Sequence, residues 1–387
     1  MICLGLGATQ CSTQPIPPIS GRIVLAEGWK PRLYLVQPRS FSEIASNFSG
    51  AIIDSAAIAA DGSFAFSKRP ALEEKQLLEL CAQLVSSRFP NQLLDDHPLK
   101  ANYMPIVIQP GETLEITADI SSLQATCAIK QPSATNTALL SLRDLRHHAF
   151  RQEQLAQQQG SDDHDEAALL EREAALLRFR QPLMAFADTC SLLLPSLVAA
   201  RWVSTDGDYE RVPEFLVRQC QKWSQAEAKS QWVGQLCKAG NRANLPVLTG
   251  DKMPNAPLPM ASGDTVLLHA LLGSRLTVLD IWASWCAPCR RENRDVLAPL
   301  WAQYQAAGLQ IIGYSIDSSP AAWKAAIVKD GASWPHASHL SGDAAPLMDT
   351  LRIITIPANF ILDNQGKVIA KNLHGATLKD FVEAYLK

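Results

Sequence analysis

The sequence lacks an apolar run long enough to cross a membrane as a helix. Its longest such stretch, residues 191–200, contains Pro195 and reaches about half of the ~20 residues that a spanning helix needs. The sequence also lacks an excess of charge of either sign, because 35 lysines and arginines nearly balance 38 aspartates and glutamates. We therefore expect no nucleic-acid partner and no solvated acidic arm. The 387 residues, 47% of them apolar, suffice for two or three globular domains.

The sequence has few cysteines and histidines with the spacing of a metal site. The chain has nine cysteines, but Cys286 and Cys289 are the one pair separated by two residues. The other seven are scattered: Cys3, Cys11, Cys81, Cys127, Cys190, Cys220 and Cys237. No HxxxH pair occurs, and a four-ligand zinc site normally needs a second pair of ligands. The sequence therefore predicts neither a bound metal nor a cofactor.

The first eleven residues, MICLGLGATQC, are small and apolar and end in a cysteine. They resemble the tail of a bacterial lipoprotein signal with Cys11 as the lipidated residue, although the basic segment of a leader is missing and Gln10 is a poor residue before the cleavage site. We expect residues 1–18 to be the remnant of such a leader, in a protein of the periplasm or cell envelope. An ordinary frayed terminus is the alternative.

The hydrophobic pattern divides the remaining chain into parts. Residues 19–130 carry alternating runs and turn signals, which predict a β-sandwich, although Ala71 to Leu84 looks helical. Residues 131–245 have apolar residues at helical spacing, which predicts a helical region. Residues 246–263 are rich in proline and glycine and are expected to be a linker. Residues 264–387 alternate between strand and helix patterns, which indicates an α/β domain.

The stretch LDIWASWCAPCRRE joins an apolar strand directly to a predicted helix. Cys286 is placed at the helix start, where unpaired N–H groups and the positive end of the helix dipole favour a thiolate. Cys289 follows one turn later on the same face, close enough to form a disulfide with Cys286. Half a zinc site and a permanent structural disulfide are the alternatives, but this position favours a pair that cycles between dithiol and disulfide.

The sequence around this pair resembles the thioredoxin superfamily, and within it the TlpA/ResA-like extracytoplasmic thiol–disulfide oxidoreductases. The WCxPC motif matches at residues 285–289, and Asp280 falls where thioredoxins place a buried acid. Glu292 stands where the TlpA-like branch carries an acid. The stretch TIPANFILDNQGKVI is similar to the cis-proline loop and the hairpin after it, which would put Pro357 opposite the cysteines. The resemblance covers about 120 residues and implies a thioredoxin fold there.

The resemblance also implies roles for individual residues. Cys286 would attack a disulfide, Cys289 would resolve the intermediate, and Asp280 would carry the proton of Cys289. Glu292, expected nearer the surface, would tune the acidity of the cysteines. Pro357 completes the catalytic set. The expected substrate contacts come from four residues beside the dithiol and the proline: Trp285, Ala287, Pro288 and Ile356.

Two positions depart from the family pattern. Arg294 replaces a proline that is common in TlpA-like proteins, so we expect a straighter helix, and Asp280 stands where many of them have asparagine. Plainer interpretations are also open: Asp280 as an acid at a strand edge, Glu292 as a solvated residue beside an arginine, and Pro357 in a trans peptide.

The function implied is a disulfide reductase that acts on protein disulfides and is re-reduced by a thiol donor in the membrane. The alternatives are a thiol peroxidase and a binding or scaffold lipoprotein with a vestigial thioredoxin fold. Upstream, the predicted sandwich and helices resemble the uncharacterised amino-terminal domain of thioredoxin-fold lipoproteins from Bacteroidetes.

Overall fold

The computed structural model describes residues 18–47, 50–67, 74–95, 97–158 and 167–387. The predicted leader through residue 17, with Cys11, therefore lies outside the described residues. The chain divides into two compact units: Met1–Gln154 with Arg180–Gly207, and Leu155–Phe179 with Asp208–Lys387. Parts of the predicted helical region thus belong to each unit.

The first unit contains two four-stranded sheets. Its elements are β1 (Ile19–Val24), β2 (Trp29–Gln37), β3 (Ala51–Ala57), β4 (Ser63–Ala65), β5 (Gln76–Leu84), β6 (Tyr103–Ile108), β7 (Leu114–Asp119), α1 (Leu123–Thr126) and β8 (Ala128–Ile129). One sheet has the order β4-β1-β7-β8 and the other β3-β2-β5-β6. Most neighbouring strands are antiparallel, but β1 and β7 run parallel.

The expectation of helix from Ala71 to Leu84 is wrong for the residues that form β5, Gln76–Leu84. This strand is rich in leucine, glutamate and glutamine, which favour helices in isolation. It nevertheless lies between β2 and β6 and is buried along nearly its whole length. Glu79 is accommodated because it accepts a hydrogen bond of 2.7 Å from the amide of Ala45. Tertiary pairing therefore overrides local propensity.

The middle of the chain is helical, as predicted. Its helices are α2 (Ala134–Gln158), α3 (Ala167–Thr189), α4 (Leu193–Val203), α5 (Pro213–Ala226) and α6 (Gln231–Ala239). In α5, Pro213 opens the first turn, and Phe215, Leu216 and Trp223 form its buried face. A disulfide between Cys220 and Cys237 joins α5 to α6. No helix in the described ranges is both long and apolar enough to span a bilayer.

The carboxy-terminal part of the second unit is built around a five-stranded sheet of order β13-β12-β11-β14-β15. Its elements are β9 (Pro257–Pro259), β10 (Thr265–Leu267), β11 (Leu276–Trp282), α7 (Ala287–Glu292), a π-helical segment (Asn293–Leu297), α8 (Ala298–Tyr304), β12 (Leu309–Ser315), α9 (Pro320–Lys329), β13 (His336–Ser338), α10 (Pro346–Leu351), β14 (Ala358–Asp363), β15 (Val368–Lys371) and α11 (Gly375–Leu386). β12 is parallel to β11, whereas β14 is antiparallel to it.

The central strand β11 is covered on both faces. Leu276 and Val278 belong to one hydrophobic cluster, and Leu279 and Ile281 belong to a second one. Side chains of a strand alternate between its faces, so a strand with layers on both sides reads as a continuous apolar run. The second cluster includes both Cys286 and Cys289, which places the dithiol at the end of this strand.

The predicted linker at residues 246–263 is more structured than its composition indicates. It contains β9, which pairs with β10, and Met253 and Leu258 are buried in the same cluster as the cysteines. The amide of Met253 also donates to the carbonyl of Gly366 at 2.8 Å. Two of its four prolines, Pro257 and Pro259, lie in β9, so this part of the stretch is not a free connection.

Candidate active site

Cys286 and Cys289 form a disulfide at the start of α7, with their Cα atoms 5.3 Å apart. Cys286 is the residue immediately before the helix, and the amide of Cys289 donates to its sulfur at 3.3 Å. A hydrogen bond from an N–H group stabilises a sulfur that carries negative charge more than a neutral one. The residue exposure is 6% for Cys286 and 2% for Cys289. Both observations favour Cys286 as the attacking thiolate.

The loop before the cysteines is held by two buried aspartates. Asp317 accepts hydrogen bonds from the amide of Ser284 at 2.8 Å and from its hydroxyl at 2.5 Å. Asp330 pairs with Arg290, whose guanidinium also donates to the carbonyl of Ser284 at 3.1 Å. The loop and the first turn of α7 are thus fixed from two sides. Sequence reasoning missed both aspartates, since neither lies near the motif along the chain.

The peptide between Ile356 and Pro357 is cis, as the resemblance implied. β14 begins at the next residue, Ala358, which pairs with Ile281 of β11. This register carries the proline to the end of the strand that leads to the cysteines. Ile356 packs against the hydrophobic cluster that contains Cys286 and Cys289.

The four predicted substrate contacts differ in exposure. Trp285 is 62% exposed, whereas Ala287 and Ile356 are half-buried. These three residues offer apolar surface beside the dithiol. Pro288 is buried, so little of its ring is available to a substrate, and its position in the first turn of α7 supports the helix instead.

Asp280 lies on β11 and is 3% exposed. Among the described residues, its Oδ2 atom has no hydrogen-bond partner. Burial raises the pKa of this carboxyl well above its usual value, and the negative charge of Glu292 raises that pKa further. Asp280 is therefore a buried acid on the central strand of the sheet and not an acid at an exposed strand edge. Its role as a proton carrier stays a prediction.

Glu292 is not near the surface, which corrects the expectation from the sequence. It is 4% exposed and accepts hydrogen bonds from Nδ1 of His374 at 2.7 Å and from the amide of Gly375 at 3.0 Å. Two of the neighbouring arginines, Arg290 and Arg294, bind Asp330 instead. His374 is a further residue that sequence reasoning missed.

Arg294 lies in a π-helical segment after Glu292, and the straighter helix expected there stays a prediction. Residues 293–297 form a π-helical segment between α7 and α8. Such wide turns inside helices occur often at functional sites. Here the segment begins directly after the buried Glu292.

Residues 249–371 match the AhpC/TSA family. They form a thioredoxin-fold domain. The match covers the cis-proline loop and the dithiol, and it begins within the stretch that was predicted to be a linker.

Curated relatives of this domain are named for thiol–disulfide chemistry. The thiol-disulfide oxidoreductase ResA of Bacillus thuringiensis subsp. konkukian is 28% identical over 138 residues, which are 36% of this chain and 76% of that protein. The thiol:disulfide interchange protein HelX of Rhodobacter capsulatus is 22% identical over 126 residues, which are 32% of this chain and 67% of that protein.

The chain is also similar to two solved structures. A thiol-disulfide oxidoreductase from Bacteroides fragilis is 26% identical, with 35% of this chain and 98% of that chain covered and a TM-score of 0.32. A thiol:disulfide interchange protein from Bacteroides sp. is 26% identical, with 36% and 91% covered and a TM-score of 0.33.

These findings confirm the predicted fold class, with a sheet-rich amino-terminal region, a helical middle and a carboxy-terminal thioredoxin fold. They also confirm the resemblance of the carboxy-terminal region to thiol–disulfide oxidoreductases, and with it the predicted enzyme class. The resemblance of the upstream region to a domain of Bacteroidetes lipoproteins stays a prediction, because the family match begins at residue 249. The roles of the individual site residues stay predictions as well.

Proposed function

We propose that the protein is an extracytoplasmic disulfide reductase that acts on protein substrates through Cys286 and Cys289. The observation that carries the proposal is the placement of this pair. A main-chain N–H donates to the sulfur of Cys286 at the start of α7, and the buried carboxyl of Asp280 lies on the strand that leads to it. A purely structural disulfide would need neither this N–H donor nor a buried carboxyl on the preceding strand.

In the first step, the thiolate of Cys286 in the reduced enzyme attacks one sulfur of a substrate disulfide. A bond forms between Cys286 and that sulfur, the substrate disulfide breaks, and the second substrate sulfur leaves as a thiolate that takes up a proton. The amide of Cys289 stabilises the attacking thiolate, since it donates to that sulfur.

In the second step, Cys289 resolves the mixed disulfide. Its thiol transfers a proton to the ionised form of Asp280, and the resulting thiolate attacks the sulfur of Cys286. The bond between Cys286 and the first substrate sulfur breaks, that sulfur leaves as a thiolate and takes up a proton, and the enzyme is left with the Cys286–Cys289 disulfide that the structure contains. Two electrons have passed from the dithiol to the substrate. A thiol donor in the membrane would return them.

Apolar surface beside the dithiol supports a protein substrate. The indole of Trp285 is mostly exposed immediately before Cys286, and the half-buried Ile356 precedes the cis proline. An unfolded or partly folded chain that carries a disulfide offers apolar side chains to such a surface.

A location outside the cytoplasm is supported by the second disulfide, Cys220–Cys237. Disulfides away from a redox site persist in oxidising compartments and are rare in the cytosol. We place the protein in the periplasm or cell envelope, with a lipid anchor at Cys11 as the finer proposal. Cell fractionation with and without a Cys11→Ser change tests this, and a soluble cytoplasmic pool of the unaltered protein would contradict it.

Reduction of insulin in the presence of dithiothreitol tests the activity. The unaltered protein should accelerate precipitation of the insulin B chain, and Cys286→Ser should abolish the acceleration. A binding or scaffold protein would give none with either form. A thiol peroxidase would instead consume hydroperoxide without accelerating precipitation.

A further inference from the structure

The cis-proline loop is held by a residue that precedes the thioredoxin-fold region in the sequence. The carboxylate of Glu210 accepts hydrogen bonds from the amides of Ile354 and Thr355, at 2.9 and 3.2 Å. Both loop residues are exposed, and Ile354 is 86% exposed. Their amides would otherwise face water, so the charged acceptor fixes main chain that packing leaves unsupported.

The next residue, Arg211, binds the main chain directly after the cis peptide bond. Its guanidinium donates to the carbonyl of Pro357 at 2.9 Å and to the side-chain oxygen of Asn372 at 2.9 Å. It also forms an ion pair with Glu173 of α3, and only 8% of its side chain is exposed. A guanidinium has several donors in a rigid plane, which suits it to bind separate acceptors at fixed positions.

These contacts reach two segments of the site at once. One is the loop with the cis proline, and the other is the turn that begins at Asn372 and leads to His374, the partner of Glu292. We infer that Glu210 and Arg211 are positioning residues of the disulfide-exchange site, so that the helical region supplies part of the active-site framework. This inference rests on the proposed function for its effect on rates, but not for its effect on the loop.

A purely structural role is the competing explanation, and the chain supplies a matched control. Glu214, at the start of α5, pairs with Lys371 of β15 at 2.9 Å and accepts from the amide of Thr249 at 2.9 Å. This contact joins the same helical region to the same domain, but none of its partners lies in the cis-proline loop. Loss of Glu214 therefore reports on attachment of the helices alone.

The kinetic test compares two disulfides of different size. Because a protein substrate needs the loop and a small disulfide needs little beyond Cys286, Glu210→Ala should raise KM for insulin by at least about fivefold. The rate with bis(2-hydroxyethyl) disulfide should stay within about twofold, since the reactivity of Cys286 is untouched. Glu210→Gln keeps an acceptor and should recover part of the loss. Glu214→Gln should leave both substrates unaffected.

Arg211 is tested in a double variant, Arg211→Met with Glu173→Gln. The second change removes the carboxylate that would otherwise be left half-buried without its partner. The expected result is again a higher KM for insulin with little change for the small disulfide. Equal losses with both substrates, or the same losses in Glu214→Gln, would overturn the inference.

Hydrogen exchange separates this inference from the proposed function. The amides of Ile354 and Thr355 should exchange at least about tenfold faster in Glu210→Ala than in the unaltered protein, and Glu214→Gln should not accelerate them. Unchanged exchange in Glu210→Ala would overturn the inference even if insulin is reduced. An inactive but folded protein with the predicted exchange would reject the proposed function and leave the role of Glu210 in holding the loop supported.

Discussion

Nδ1 of His374 lies 2.7 Å from Oε2 of Glu292, and both side chains are largely shielded from solvent. The acid is therefore held by an imidazole and by the amide of Gly375 at 3.0 Å. Its negative charge is one of the two causes that raise the pKa of Asp280. The charge that raises the pKa of Asp280 is thus held by a residue, His374, that lies far from the motif in the sequence.

Glu292→Gln should lower the pKa of Asp280, because it removes the second cause of the upward shift and leaves burial as the first. The pH dependence of the resolving step should then move toward acid pH, since Asp280 becomes ionised and able to accept a proton at lower pH. Single-turnover kinetics across the pH range would show the displacement. An unchanged profile would mean that Glu292 does not influence Asp280.

His374→Leu should leave Glu292 with the amide of Gly375 as its remaining donor. A buried acid that loses a partner costs about 1–3 kcal/mol in the free energy of unfolding. Urea denaturation measures this loss. The double variant with Glu292→Gln should recover part of the stability, because a neutral amide is less costly to bury than a carboxylate. Additive losses in the double variant would show that the two residues are independent.

Asp280→Asn should slow the resolving attack by Cys289 by ~10²-fold, because it removes the proton acceptor while keeping the shape of the side chain. Attack by Cys286 on the substrate should survive, since that step does not use Asp280. Rapid-quench measurement of the mixed disulfide would show it accumulating. If resolution kept its rate at every pH, Asp280 would have a structural role only.

Asp280→Asn should also change how the free energy of unfolding depends on pH. Burial raises the pKa of Asp280 above its ordinary value of 3.8, so at pH values between the ordinary and raised pKa the folded protein binds more protons than the unfolded chain. The free energy of unfolding therefore falls as pH rises through that interval, by at most about 1.4 kcal/mol per pH unit. Asp280→Asn should remove this fall, so that its advantage over the unaltered protein grows with pH. Parallel stability curves would contradict the raised pKa.

The sequence predicted the parts of the site that depend on local pattern. The dithiol, the cis peptide at Pro357 and the acid at Asp280 all lie within or beside recognisable motifs, and the structure has a disulfide, a cis bond and a buried carboxyl there. Their roles in the reaction stay predictions. The environment of Glu292 was not predictable, since its partner His374 is 82 residues away. The contact between Glu210 and Ile354 spans 144 residues, and no local pattern indicates it.

The fold shows the same division between local and distant causes. The buried strand β11 and the hairpin of β14 and β15 follow from apolar runs and turn residues. By contrast, β5 carries the residues of a helix and becomes a strand because β2 and β6 pair with both of its edges. The pairing of Cys220 with Cys237 likewise depends on how α5 and α6 lie together.

Replacing both cysteines of the second disulfide, by Cys220→Ser with Cys237→Ser, should destabilise the protein without affecting disulfide exchange at the active site. The two cysteines are 17 residues apart, and closing a loop of that length stabilises a fold by about 3 kcal/mol. Denaturant unfolding should show a loss of this order, while insulin reduction under native conditions should be unchanged. Loss of activity in a fully folded variant would instead assign this disulfide a redox role.

The central claim, that Cys286 attacks and Cys289 resolves, is tested most directly by trapping the intermediate. Cys289→Ser should accumulate a covalent adduct with a disulfide-bearing protein, and mass spectrometry of the digested adduct should place the bond at Cys286. Reduction with dithiothreitol should release it. Cys286→Ser should trap no adduct under the same conditions. An adduct formed through Cys289 in the Cys286→Ser variant, at a rate equal to that of Cys289→Ser, would contradict the assignment of the two cysteines.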